Sequence, residues 1–194
     1  MALKDLIRTI LGRTIEYGDR RSKSSNEMSI KHIAFISYRR NGGYFIAELL
    51  KQYLKYKNIE AFMDIHNAQG DWKKCIMEMI PSTPVFILVV THDMFRDKQK
   101  ENIEDWCEIE IGIALEDRGK NIIQFVVNEN GINVPDNNGG SQARDSFINT
   151  AFRYLNPQYK EKLNKYQRSF YSRDYPDASL EDLLKKIKGE KGIV

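Results

Sequence analysis

The sequence predicts an α/β fold, a parallel, doubly wound sheet of about five strands flanked by helices. Three observations predict it. Short apolar runs alternate with helix-length segments from residue 31 onward. The runs are rich in Val, Ile and Phe and mostly continuous, as strands covered on both faces must be. The spacing between them leaves room for a crossover helix each time, which implies right-handed connections between parallel strands.

The strands expected are Ile33–Ser37, Ile59–Met63, Val85–Val90 and Ile122–Val127, with helices over 44–57, 72–80 and 103–117 between them. A flavodoxin-like strand order follows from this alternation. After Val127 the signal weakens. Asn128–Ala143 reads as a Gly/Asn-rich loop, followed by helices near 144–155 and 158–166. A short strand around Ser169–Tyr171 and a last helix at Leu180–Lys188, capped by Ser179, complete the domain. Ahead of it, Leu3, Leu6, Ile7, Ile10 and Leu11 fall at helical spacing and Gly12 is a stop. The polar stretch Gly18-Asp-Arg-Arg-Ser-Lys-Ser-Ser-Asn-Glu27 reads as a linker. The expected organisation is therefore an N-terminal helix and linker over 1–28 and one domain over 29–194. Lys4, Arg8 and Arg13 leave two readings of the first helix, docking on protein or lying on a membrane surface, and docking is the plainer one.

Composition narrows the function classes. With 41% hydrophobic and 29% charged residues, the chain can bury a core. The longest apolar runs, such as Val85-Phe-Ile-Leu-Val-Val90, fall far short of the ~20 residues of a membrane span. No apolar segment followed by a small-residue cleavage site marks a secretory signal. Cys75 and Cys107 have no metal-type spacing, which points to a reducing, cytoplasmic setting. A net charge of +3 gives no argument for nucleic acid.

In open α/β sheets, ligands bind beyond the carboxyl ends of the strands. Three segments leave that edge with distinctive chemistry. Ser37-Tyr-Arg-Arg-Asn-Gly-Gly43 offers guanidinium forks and free backbone N–H groups to a phosphate, or is a solvated turn with a glycine bend. Asp64-Ile-His-Asn-Ala-Gln-Gly-Asp-Trp72 is polar and ends in Trp72, which either stacks on a flat ring or staples its helix to the sheet. His66 reads as a surface residue. On the helix beginning near Ile103, Trp106, Ala114 and Ile113 surround Glu110 on an apolar arc. Glu108, Gly112 and Glu116 form an opposite, solvent-facing stripe. A carboxylate inside the apolar arc is either paired with a cation or held in a partly dry crevice for use.

Together, Phe35-Ile-Ser-Tyr-Arg-Arg40, Phe62-Met-Asp64 with Gly70 and Trp72, and Asp105-Trp-Cys-Glu-Ile-Glu-Ile-Gly-Ile-Ala-Leu115 resemble successive signature boxes of Toll/interleukin receptor (TIR) domains. The last box resembles the Trp-x-x-x-Glu helix of the NAD⁺-cleaving branch, which includes the animal axon-degeneration enzyme and many bacterial TIR proteins. The resemblance spans 31–127 and extends loosely to 188. It implies the TIR fold and an NAD⁺ glycohydrolase or cyclase acting in immune or antiviral defence signalling, with NAD⁺ as a consumed substrate and no cofactor. It makes Glu110 the catalytic carboxylate and Tyr38, Arg39, Arg40, Gly70, Trp72 and Trp106 substrate-binding residues. It also implies self-association through the loop 64–72 and a downstream effector or activating partner. Ala68-Gln69-Gly70 departs from the acidic residue many active relatives carry before the glycine. The alternatives are a non-catalytic TIR assembly scaffold and a nucleotide-processing domain of similar fold that acts on nucleosides or nucleic acid. Independently of the resemblance, no Gly-x-Gly-x-x-Gly follows the first strand, so hydride transfer with a bound dinucleotide is not expected.

Overall fold

The structure, a computed structural model, describes residues 33–64, 72–92, 94–95, 104–127, 140–172 and 174–189. All elements below belong to the unit Lys31–Val194. The expected N-terminal helix and linker, His66, Gly70 and most of the expected loop 128–143 lie outside the described residues.

Five strands, β1 (Ala34–Tyr38), β2 (Ala61–Met63), β3 (Val85–Val90), β4 (Asn121–Val126) and β5 (Gln167–Phe170), form one parallel sheet in the order β2-β1-β3-β4-β5. This is the flavodoxin-like arrangement expected. Among the described residues six helices flank it: α1 (Arg40–Tyr56), α2 (Trp72–Ser82), α3 (Trp106–Glu116), α4 (Gly140–Ala151), α5 (Pro157–Leu163) and α6 (Pro176–Ile187).

The strands are apolar on both faces because each face meets helices. Ala34, Ile36, Val85, Ile87 and Val89 pack with Ala47, Leu50 and Leu54 of α1 and Leu180 and Leu183 of α6. Phe35, Phe86, Leu88 and Val90 pack on the opposite side with Ile76 and Ile80 of α2, Ile111 and Ala114 of α3, and Ile148 and Phe152 beyond them. Successive side chains of a strand alternate between faces, so Ser37 falls on the side of Phe35, toward α2 and α3. Phe35 stacks on Phe62 at 5.5 Å and on Phe86 at 5.7 Å, a row of rings across three adjacent strands on that side.

Four local expectations are revised. Helix α1 starts at Arg40, ahead of the expected residue 44, and is broken at Asn41 and Gly42. Gly42 holds φ at 90°, a left-handed conformation that glycine adopts without a Cβ penalty. Helix α4 begins at Gly140, inside the expected loop. Helix α6 begins at Pro176, which suits a first helical position because its missing N–H has no partner to lose there. Ser179 is therefore inside the first turn and not its cap. Its hydroxyl donates to the Tyr175 carbonyl and accepts from the Ser172 N–H, both at 2.9 Å.

The fourth concerns the solvent stripe expected on α3. Only Glu116 of the three is exposed. Glu108 accepts a bond from the Asn156 N–H at 2.8 Å, and a Cβ on Gly112 would lie 2.7 Å from the Tyr159 hydroxyl. Helix α5 covers this face, and Gly112 is what lets it approach.

The order of the sheet reverses at β1, whose neighbours are β2 on one side and β3 on the other. The crevice beyond the carboxyl ends of β1 and β3 is where such sheets take ligands.

Candidate functional site

Residues from β1, α1, α2 and α3, with Asp64 after β2, converge beyond the carboxyl end of β1, on its β2 side. Tyr38 ends β1, and Arg39, Arg40 and Asn41 lead into α1. Asp64 follows β2, Trp72 opens α2, and α3 supplies Trp106, Cys107 and Glu110. They line a cleft of about 330 Å³, within the ~300–1,000 Å³ range of small-molecule sites. Six of the seven residues expected at the site meet here: Glu110, Tyr38, Arg39, Arg40, Trp72 and Trp106.

Glu110 is the unusual group. It is 6% exposed, and Ser37 Oγ donates to its Oε2 at 2.6 Å. Among the described residues no ion pair involves it, so of the two readings open for this carboxylate the dry crevice describes its surroundings. Burial pushes its pKa from the ordinary 4.5 up to about 8. The Ser37 bond opposes that rise, the charges of Asp64 and Asp105 add to it, and Arg40 opposes it. A carboxyl so perturbed in a cleft is a functional-site candidate.

The helix that carries it is anchored at its start. Asp105 is the N-cap of α3 and accepts from the Glu108 N–H at 3.3 Å. The same carboxylate takes Arg39 Nη2 at 2.8 Å and Nη1 at 3.4 Å, while Arg39 Nε donates to the Met94 carbonyl at 2.7 Å. Arg39 thus lines the cleft and ties β1 to the start of α3. Arg40 is freer: its side chain is 49% exposed and meets Asp64 at 3.0 Å.

The aromatic wall is built by Trp72 and Trp106, whose rings meet edge-to-face with centroids 4.6 Å apart. Lys73 Nζ lies 4.9 Å from the Trp106 ring centre and pairs with Glu104 at 2.7 Å. Tyr38 donates its hydroxyl to the Asp64 carbonyl at 2.5 Å, and burial pushes its pKa up to about 12. It therefore acts here as a neutral donor that holds the Asp64 backbone after β2. Cys107 Sγ donates to the Tyr38 carbonyl at 3.3 Å, and burial raises its pKa, which favours the neutral thiol over the thiolate.

Three contributors had no role assigned from the sequence: Ser37, Asp64 and Asp105. Each was inside a recognised motif, but their partners are 73, 24 and 66 residues away respectively, beyond the reach of local spacing. Helical periodicity alone did single out Glu110.

Residues 34–161 match a family model described as TIR domain. The chain is 26% identical over 174 residues to NAD(+) hydrolase sarm1 of Drosophila melanogaster, covering 89% of this chain and 11% of that protein. It is 28% identical over 163 residues to NAD(+) hydrolase tir-1 of Caenorhabditis elegans, covering 80% of this chain and 14% of that one. The chain thus spans less than a fifth of the length of these curated relatives. The TIR domain of the Toll-related receptor TRR-2 from Hydra magnipapillata superposes with a TM-score of 0.51 at 16% identity, covering 81% of this chain and 98% of that one. At that identity the likeness bears on the fold alone.

Proposed function

We propose that this chain, which belongs to the TIR domain family, breaks the bond between nicotinamide and ribose in NAD⁺, with Glu110 as the catalytic carboxylate. The observation that carries the reading is a buried carboxyl with no cation paired to it among the described residues, in a cleft walled by two indoles and two arginines. That the relatives above are named NAD(+) hydrolases supports the substrate.

The chemistry asks little of the protein beyond charge and position. Nicotinamide leaves as a neutral base from a cationic pyridinium, so its departure needs no acid. The C1′–N1 electron pair goes with it, and positive charge develops on the ribose carbon, as in other glycosyl transfers. Glu110, as carboxylate, stabilises that charge through the ribose hydroxyls. Water attacking C1′ gives ADP-ribose and a proton; attack by another nucleophilic atom of the substrate gives a cyclic isomer. Trp72 and Trp106 hold the rings and exclude water.

Protonation of Glu110 gives the reading a signature. A pKa of about 8 keeps the carboxyl mostly protonated at neutral pH. Since the carboxylate is the active form, kcat/KM, which reports the free enzyme, should rise with pH with its midpoint near 8. The incoming pyridinium charge favours the carboxylate, so the midpoint in kcat should be lower. Chromatography of NAD⁺ incubations across pH 5.5–9 measures both. Absence of nicotinamide release at every pH would leave the scaffold reading.

Arg40 is the better placed of the two arginines for a phosphate, exchanging Asp64 for it. Arg40→Ala should raise KM roughly tenfold, since a charge-assisted hydrogen bond is lost, with kcat nearly unchanged. Its half-exposed ion pair contributes at most about 1 kcal/mol to stability. An unchanged KM argues against the contact.

The reading also includes self-association through the loop 64–72, a partner that triggers the reaction or reads its product, and a place in defence signalling in the cytoplasm. Two free thiols suit a reducing compartment, and among the described residues no helix is long and apolar enough to cross a membrane. Specific activity that climbs with protein concentration supports assembly.

A further inference from the structure

Ser37 is 1% exposed, and β1 is hydrogen-bonded to strands on both sides, so its hydroxyl has little freedom of position. It donates to Glu110 Oε2 at 2.6 Å across the gap between sheet and α3. Among the described residues Oε1 takes no hydrogen bond, while Glu110 lines the cleft. One carboxyl oxygen is thus held by the sheet, and the other takes no bond among the described residues.

We infer that Ser37 is a positioning residue for Glu110, gripping Oε2 so that Oε1 faces the cleft and the carboxylate form is favoured where substrate charge develops. The inference rests on the proposed role of Glu110. A hydroxyl can donate to a carboxylate, and a donor stabilises the ionised form over the neutral one. The hydroxyl thus counteracts the drying of the site, which would otherwise hold the carboxyl protonated further up the pH scale. The other groups acting on this carboxyl come from separate elements: Tyr38 of β1, Arg40 of α1, Asp64 after β2, and Asp105 and Cys107 at the start of α3, while Arg39 lines the same cleft. None of them is changed by substitution at Ser37, so a shift reports the hydroxyl.

The test is a carbon-13 NMR titration of the Glu110 side-chain carboxyl without NAD⁺, its signal identified by its loss in Glu110→Gln, in wild type, Ser37→Ala and Ser37→Cys. Ser37→Ala should move the midpoint up by about one pH unit, the size expected for a lost hydrogen bond to a charged group, and Ser37→Cys, a weaker donor, by less. With NAD⁺, Ser37→Ala should lower kcat about tenfold or more with KM within about twofold, and move the acid limb of the rate profile by the same pH increment. A folded Ser37→Ala protein with an unshifted midpoint overturns the inference, and so does lost activity with an unshifted profile, because a merely structural serine gives that pattern. If Ser37→Ala does not fold, Ser37→Cys decides on the same criterion. A shifted midpoint in a protein that releases no nicotinamide would reject the catalytic reading and leave the grip standing.

Discussion

Glu110→Gln is expected to abolish nicotinamide release, by roughly 10²–10³-fold or more, and at the same time to make the protein harder to melt. The two effects have one cause. Gln keeps the shape of the side chain, and its carbonyl oxygen still accepts from Ser37, but it cannot carry the charge that stabilises a developing cation. The folded protein holds a proton on Glu110 up to about pH 8, whereas an unfolded chain releases it near 4.5. Between those values the native state binds more protons than the unfolded one, so wild-type stability falls as pH rises, by about 1.4 kcal/mol per unit of pH for a single group. The Gln variant has no such loss. Its advantage in melting temperature should be smallest near pH 4.5, grow through the window, and stop growing above about pH 8. Scanning calorimetry of both proteins at several pH values, beside chromatography of NAD⁺ incubations, checks the pair of effects. Wild-type turnover in the variant would remove Glu110 from the mechanism. A stability gain independent of pH would show that the carboxyl is not protonated in the fold. A group that lowers stability where it works is common at active sites.

Much of this arrangement was legible before the structure, and the pattern of what was not is physical. Val85–Val90 matches its expected bounds, because a Val/Ile-rich apolar run of strand length between Pro84 and Thr91 suits a strand covered on both faces. Ile122–Val127 came out one residue early, as Asn121–Val126. The starts of α1, α4 and α6 were missed where backbone chemistry overrode side-chain pattern: the left-handed Gly42, the helix starting at Gly140, and Pro176 at a first turn. On α3, periodicity separated Glu110 from the charged face correctly, yet that face was misread as solvated. Its cover, Tyr159 with Asn156, arrives from another part of the chain. The same limit applies to the site. Residue types at the strand ends drew attention to Arg39, Arg40, Trp72 and Glu110, but who holds whom is a matter of tertiary pairing. The partners of Glu110 and Arg39, Ser37 and Asp105, emerge only when β1 and α3 are side by side.

That pairing sets the second large effect. Asp105→Ala should destabilise the fold by about 2–4 kcal/mol, since it removes a helix N-cap and leaves Arg39 without its carboxylate. The Asp105 side chain is 4% exposed and that of Arg39 23%, so the guanidinium keeps some water and the cost stays below that of a fully buried orphan charge. For a domain of this size the melting temperature should fall by roughly 5–15 °C. Activity should fall too, because α3 carries Glu110 five residues beyond its cap. Asp105→Asn, which keeps an acceptor for the Glu108 N–H but not the charge, should recover part of the stability. It should also let Glu110 titrate lower, since the Asp105 charge is one of the influences holding it up. Arg39→Ala and the double variant close a cycle with a coupling of more than about 1 kcal/mol if the two residues stabilise the fold as a pair. Denaturant unfolding of the four proteins measures it. Additive losses would mean that Arg39 and Asp105 act separately. If Arg39→Ala instead melts like wild type and only its KM rises, the guanidinium belongs to the ligand, and the anchor of α3 is the cap alone.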